Sequence, residues 1–395
     1  MVYAAVATGL SRIEDGDGDA LNAVRGKKVG LVAHPASVTA KFTHARHVLH
    51  SAGAKIEVLF GPEHGYGGEA QDMIGVTEAR DPATGAVIRS LYGATEAELS
   101  PRREWLDGLD AVLIDLQDVG ARYYTFVWTA ALVMKAAAQC GVKTIVLDRP
   151  NPLGGTAIEG APQRPGYRSF VGLYDVSVRH GLTIGEICTM VRALEALDES
   201  CLDVVRMQGW TRKMMWSDTK LPWILPSPNM PTPDTTLVYP GGCLIEATNL
   251  SEGRGTTRPF EIIGAPFVDG DKLASRVHAP GCQLRALTFS PTFHKHARTI
   301  CGGVQVHVTD ATAIQSYPLY LKLIAEMHQA SNGKFAWRTE EYEYVTDRLA
   351  IDLLTGGPEF RVAVESGVGL DAVLGAEEDG ARRFNETRQQ FLLYR

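Results

Sequence analysis

Four short apolar runs punctuate the first 150 residues: KVGLVAH (28–34), KIEVLF (55–60), AVLIDL (111–116) and KTIVLD (143–148). Each is six or seven residues long and nearly continuous in apolar character, the pattern of strands buried on both faces of a sheet. Helix-like spacing occupies residues 41–51, 101–109 and 123–139, the last stopped by Gly141. Strand and helix in alternation at this spacing predict a parallel sheet with helices on both faces. A helix over 183–197 and a strand at CLDVVRM (201–207) complete this unit near residue 215, giving expected domains of 1–215 and 216–395.

The crossing between them, LPWILPSPNMPTPD (221–234), holds five prolines in fourteen residues and excludes a helix or a central strand. Linkers seldom carry residues such as Trp223, Ile224, Leu225 and Met230, so the stretch reads as an ordered wall. Beyond it GGCLIEATNL reads as helical, RALTFSPTF and GGVQVHVTD as strands, and 317–329 and 376–392 as helices. The second unit is therefore a smaller, mixed α/β domain.

Length changes the picture little, since 395 residues suit two cores. A net charge of −7 with no Lys/Arg run argues against nucleic-acid or anionic-membrane partners. The six cysteines contain no CxxC pair and read as buried thiols of a reducing compartment. No stretch is apolar long enough to span a membrane, and the first residues lack a signal-peptide pattern, so the expected location is cytoplasmic, or periplasmic or secreted where a signal peptide has been removed.

Ligands of an open parallel sheet bind beyond the carboxyl ends of its strands. The segments following the four runs gather His34, Glu63, His64, Gln117, Asp118, Arg122, Arg149, Asn151 and Glu159 at that edge. FGPEHG (60–65) is the sharpest of them. It sets a glutamate between proline and histidine on a glycine-bounded turn, where burial would let a carboxyl donate a proton near neutrality. Asp118 and Glu159 are candidates for a second carboxylate, although a turn-forming aspartate and a salt bridge at the cleft rim account for them equally well. In the second unit TNLSEGRGTTRPFE (248–261) is dense in hydroxyl-binding groups, and PSPNMPT adds Asn229.

Three other chemistries fit less well. GYGGEA (65–70) matches a dinucleotide fingerprint but does not lead from a strand directly into a helix. FHKHA places His294 and His296 two apart without a further ligand motif, so no metal site is expected. No G-x-S-x-G elbow exists for a serine nucleophile.

FGPEHG, LIDLQDVGARYYT, LDRPNPLGG with IEGA, LPSPNMPT, TNLSEGRGTTRPFEIIGAPF and SPTFHKHARTICGGVQVHVTD together resemble the bacterial exo-β-N-acetylmuramidase family, glycoside hydrolases once grouped only as a domain of unknown function. The likeness extends from about Gly26 to the closing QQFLLYR. It implies a Rossmann-like domain and a smaller domain with the cleft between them. It also implies removal of non-reducing-end N-acetylmuramic acid from peptidoglycan fragments or muropeptides, with no cofactor. Glu63 matches the proposed catalytic carboxylate of that family. Glu159, Asp118 and Glu252 are the ranked choices for the second. The substrate-binding set expected beside them is His64, Arg122, Arg149, Asn151, Asn229, Asn249, Glu252, Arg254 and Thr256. Arg254, then Arg149 and Arg122, are the expected readers of the lactyl carboxylate that distinguishes muramic acid from N-acetylglucosamine. A non-catalytic module capturing the same sugar is the alternative reading.

Overall fold

Seven strands form the larger sheet, in the order β3-β4-β2-β1-β5-β6-β7. They are β1 (Lys28–Ala33), β2 (Lys55–Gly61), β3 (Ala79–Arg80), β4 (Val87–Ser90), β5 (Ala111–Asp115), β6 (Lys143–Leu147) and β7 (Leu202–Val205). The computed structural model describes residues 6–68 and 79–395. Every pairing in this sheet is parallel except that of the edge strand β3 with β4. β1 lies at the centre, with Val29 opposite Ile56 on one side and Ala111 on the other. All five residues of β5 are buried, which is why the run reads as continuously apolar. β4, VIRS, is half-buried throughout and gives no such run.

Helices cover both faces of the sheet. Phe126–Gln139 buries Phe126, Trp128, Val133 and Met134, and Trp128 Nε1 donates to the Arg122 carbonyl at 2.7 Å. Ile184–Leu194 begins with a reciprocal cap: Thr183 accepts from the Glu186 N–H, and Glu186 accepts from the Thr183 N–H. Thr183 also donates to Asp148 at 2.7 Å, tying this helix to the carboxyl end of β6.

The smaller sheet is antiparallel, in the order β8-β10-β9, with β8 Ile262–Ala265, β9 Cys282–Phe289 and β10 Cys301–Val308. Helix Gly270–Arg276 packs on β9 and β10, and two helices that pack on each other, Pro233–Gly242 and Ser316–Ala330, lie beside the sheet with the first against β10. The first starts inside the proline-rich crossing because Pro233 takes the first helical turn, where its missing N–H is harmless. A Cβ at Gly241 would lie 2.2 Å from the Ser316 carbonyl oxygen, so glycine sets how closely these helices approach. Tyr123 donates to the Pro240 carbonyl and joins this pair to the first unit.

The last residues return to the larger sheet. Arg388 donates to the carbonyls of Gly181 and Gly155 at 2.7 and 2.8 Å, and the Tyr394 hydroxyl donates to Asp148 at 2.6 Å. All six cysteines are free, three buried and three half-buried. Among the described residues no helix is long and apolar enough to cross a membrane.

Candidate active site

β2 ends in Gly61, and the chain folds straight back over it. Gly65 N–H donates to the Pro62 carbonyl at 2.9 Å, and His64 and Gly65 both take left-handed backbone (φ 71° and 81°). A Cβ on Gly61 would sit 2.3 Å from Tyr66 N, so only glycine lets the turn close this tightly. The glycine thus makes room for the protein's own backbone. The dinucleotide alternative falls partly on Glu69 and Ala70, which lie outside the described residues.

The turn projects Glu63 and His64 into a cavity of about 690 Å³ between the two units. Thr125, which precedes helix Phe126–Gln139, donates to Glu63 Oε2 at 2.6 Å. Glu63 therefore lies at the positive end of a fourteen-residue helix. The first unit also contributes Tyr92, Tyr124 and Phe126, and the proline-rich crossing contributes Ser227, Asn229 and Met230. That crossing is held by Trp223, whose Nε1 donates to the Met230 carbonyl at 3.1 Å. The opposite wall comes from the second unit: Tyr239, Glu246, Arg254, Phe260, His294, Arg338 and the run Glu341 to Tyr344.

Of the residues expected from sequence, Glu63, His64, Asn229 and Arg254 line this cavity. Arg254 is already engaged, 2.6 Å from Glu246 and 3.3 Å from Glu252, with its guanidinium over the Phe260 ring. Burial works against its charge, but the two carboxylates outweigh that and raise its pKa further. Glu252 is fully buried behind it. Desolvation opposes the ionised form, yet Lys295 at 3.0 Å, His294 at 3.0 Å and Arg254 together hold the carboxyl well below its ordinary range. Asn249 braces the chain through the Lys334 carbonyl and the Ala336 N–H, and Thr256 closes a turn onto the Gly253 carbonyl.

Asp118, Arg122, Arg149, Asn151 and Glu159, beyond β5 and β6, do not line the cleft, which corrects their grouping with Glu63. Glu159 is 4% exposed, pairs with Arg179 at 2.8 Å and accepts from the Tyr317 N–H at 2.8 Å. Asp118 accepts from the Gly120 N–H at 2.7 Å, and His180 lies 3.4 Å away. Arg122 is wholly buried and donates to the carbonyls of Ala161, Val176 and Leu354. Arg149 grips both oxygens of Asp115, at 2.5 and 2.9 Å. Asn151 accepts from the Leu153 N–H and donates to the Leu182 carbonyl. His34 bridges the Pro226 carbonyl and the Gln117 N–H, and burial lowers its pKa to about 3, so it is neutral. These groups satisfy buried backbone and each other, which is the task polar residues perform where loops leave a buried sheet edge.

His294 and His296 do not stand on a strand. Both have left-handed backbone, one facing Glu252 and the other the Asn249 carbonyl. Among the described residues no group of three or more His, Cys, Asp or Glu is placed to hold a metal ion.

Sequence reasoning missed the 338–344 stretch. Arg338 lines the cavity with its guanidinium 5.0 Å from the centre of the Tyr342 ring and donates to the Glu341 carbonyl at 3.0 Å. Glu343 lines it as well and accepts from the Tyr92 hydroxyl at 3.1 Å. The only signal was local, acids alternating with tyrosines in EEYEY.

Comparison with known proteins matches both halves of this architecture. Residues 29–234 match the family described as exo-beta-N-acetylmuramidase NamZ, N-terminal, and residues 237–394 its C-terminal counterpart. The peptidoglycan beta-N-acetylmuramidase NamZ of Bacillus subtilis (strain 168) is 41% identical over 375 residues, 94% of this chain and 88% of that protein. A crystal structure of a DUF1343 family protein (BF0371) from Bacteroides fragilis superposes with a TM-score of 0.89 at 30% identity, covering 100% of both chains. A second from that organism (BF0379) shares the fold at a TM-score of 0.73 and 24% identity, covering 99% of each. With both domain families in order and a relative this similar across nearly its whole length, the chain belongs to the exo-β-N-acetylmuramidase NamZ family of glycosidases.

Proposed function

We propose that this chain is an exo-acting glycosidase that removes non-reducing-end, β-1,4-linked N-acetylmuramic acid from peptidoglycan fragments, in cell-wall turnover and recycling. Glu63 is its catalytic carboxylate. The observation that carries this reading is the turn after β2, which holds Glu63 in a cavity walled by both units. A cavity of about 690 Å³ is in the range of small-ligand sites, and its aromatic lining suits the C–H faces of a pyranose. Hydrolysis of a glycosidic bond needs a proton for the departing oxygen and a base or nucleophile for the other side of the reaction.

The substrate differs from N-acetylglucosamine by an anionic lactyl group, which calls for a cation in the cleft. Arg254 is held by two carboxylates. Arg338 faces an aromatic ring and a carbonyl. We therefore assign the lactyl carboxylate to Arg338, whose planar fork suits two parallel hydrogen bonds. Incubation with the disaccharide MurNAc-GlcNAc tests the function. Release of both monosaccharides is expected; binding without release would favour a capture module.

A further inference from the structure

Glu63 is not the only carboxyl that lines the cavity. The loop carrying Glu343 is a tight reversal in which Tyr342 and Val345 exchange backbone hydrogen bonds, both 3.1 Å. Glu343 and Tyr344 are consecutive non-glycine residues in left-handed backbone, with φ of 47° and 67°. Such conformations cost energy and persist where surrounding contacts over-determine them. Those contacts are present, and two of the three cross between units. Tyr344 donates to the Gly93 carbonyl at 2.8 Å, Tyr342 donates to Glu246 at 3.2 Å, and Tyr92 donates to Glu343 itself. The second unit thus presses a carboxyl onto the wall of the first, beside Glu63.

We propose that Glu343 is the proton donor of the glycosidase reaction, working opposite Glu63 in its carboxylate form. The assignment rests on the function proposed above. Its geometric basis is that both carboxyls line one cavity and each receives a hydroxyl donor, from Thr125 to Glu63 and from Tyr92 to Glu343. Two carboxylates sharing one site hold a single proton more readily than none. The electrostatics agree on which one keeps it. Glu343 stays partly open to the cavity while protein atoms crowd its other sides. That desolvation and the neighbouring Glu63 charge push its pKa up to about 8, with Glu246 adding to the rise and Tyr92 and Arg338 opposing it. Tyr344 also faces it and has its own pKa raised, to about 12, by burial first and by Glu343 and Glu63 after it.

In the reaction the Glu343 proton passes to the glycosidic oxygen as the C1–O bond breaks, releasing the leaving sugar as an alcohol. Water supplies the hydroxyl that ends on C1, and its remaining proton returns the pair to one proton on two carboxyls.

Leaving-group dependence tests this. A sugar alcohol needs protonation to depart, whereas 2,4-dinitrophenolate does not. Glu343→Gln is expected to lower kcat/KM on MurNAc-GlcNAc at least about a hundredfold and on a dinitrophenyl muraminide by less than about tenfold, with loss of the alkaline limb on the disaccharide. Equal losses on both substrates, or no loss on either, would overturn the assignment. If that variant fails to fold, Tyr92→Phe decides. Removing a hydrogen bond that favours the ionised carboxyl should move the alkaline limb of the pH–rate profile upward, and an unmoved limb would refute the role. Absence of wild-type turnover on any muramyl glycoside would instead remove the function on which the assignment rests.

Discussion

Replacing Glu159 with glutamine should cost stability and leave the chemistry intact. The carboxylate is nearly inaccessible, bonded to Arg179 at 2.8 Å and to the Tyr317 N–H at 2.8 Å. Glutamine can keep one of these contacts through its amide oxygen, but it leaves the Arg179 charge buried without a counter-charge. Breaking a buried pair by removing one partner typically costs about 3–5 kcal/mol. Arg179 retains its bond to the Leu153 carbonyl at 2.7 Å, which favours the lower end, about 3 kcal/mol. An unfolding entropy of about 2.1 cal/mol/K per residue gives roughly 0.8 kcal/mol/K over 395 residues, so the expected fall in Tm is about 4 °C. Calorimetry measures that fall, and kcat at saturating substrate well below the transition should match the wild type. Adding Arg179→Met should recover part of the loss, because the stranded charge goes with it. An unchanged Tm together with a large loss of kcat would refute the reasoning and return Glu159 to the reaction.

Glu63→Gln should leave folding and sugar binding intact and lower turnover at least about a hundredfold; near-normal turnover in a folded variant would exclude Glu63 from catalysis. Arg338→Met should weaken kcat/KM on muramyl substrates by an amount corresponding to about 2–3 kcal/mol while barely changing any residual action on glucosaminyl glycosides, and an equal fall on both would place the lactyl reader elsewhere. EDTA should leave activity unchanged, and loss restored by a divalent ion would contradict this. Burial raises the Asp148 pKa from 3.8 to about 6, so its contribution to stability is present below pH 4 and disappears as pH rises through 6. Relative to Asp148→Asn, the wild type should therefore lose on the order of 3 kcal/mol across that window in urea unfolding, and a flat difference would show that the shift is absent.

The larger sheet was legible because each inner strand is buried on both faces and leaves an apolar run. The half-buried VIRS of β4 leaves none and went unread. The Glu63 turn was legible for a similar reason, since proline, glycine and two titratable groups follow such a run directly. Asp118, Arg122, Arg149, Asn151 and Glu159 carry the same chemical signature for another purpose. Buried strand ends need ion pairs and amide bonds to satisfy backbone, and residue type cannot separate that need from catalysis. Glu343 and Arg338 failed in the opposite direction. Their polar stretch follows no strand end, and its place opposite Glu63 depends on how two units dock, a long-range relation that local pattern does not encode.

The clasp formed by Leu393 and Tyr394 bears on the order of assembly. Tyr394 bonds Asp148 at 2.6 Å and accepts from the Met207 N–H at 3.0 Å, while the Leu393 N–H reaches Glu186 at 2.8 Å. Asp148, Glu186 and Met207 belong to the unit made first, but Leu393 and Tyr394, which add these contacts, lie about two hundred residues further along the chain. During translation the first unit lacks these three contacts while nearly two hundred further residues emerge. Its early, incomplete form is therefore the species exposed to proteases and chaperones, and a lesion at residue 394 would act on a sheet that ended at residue 205.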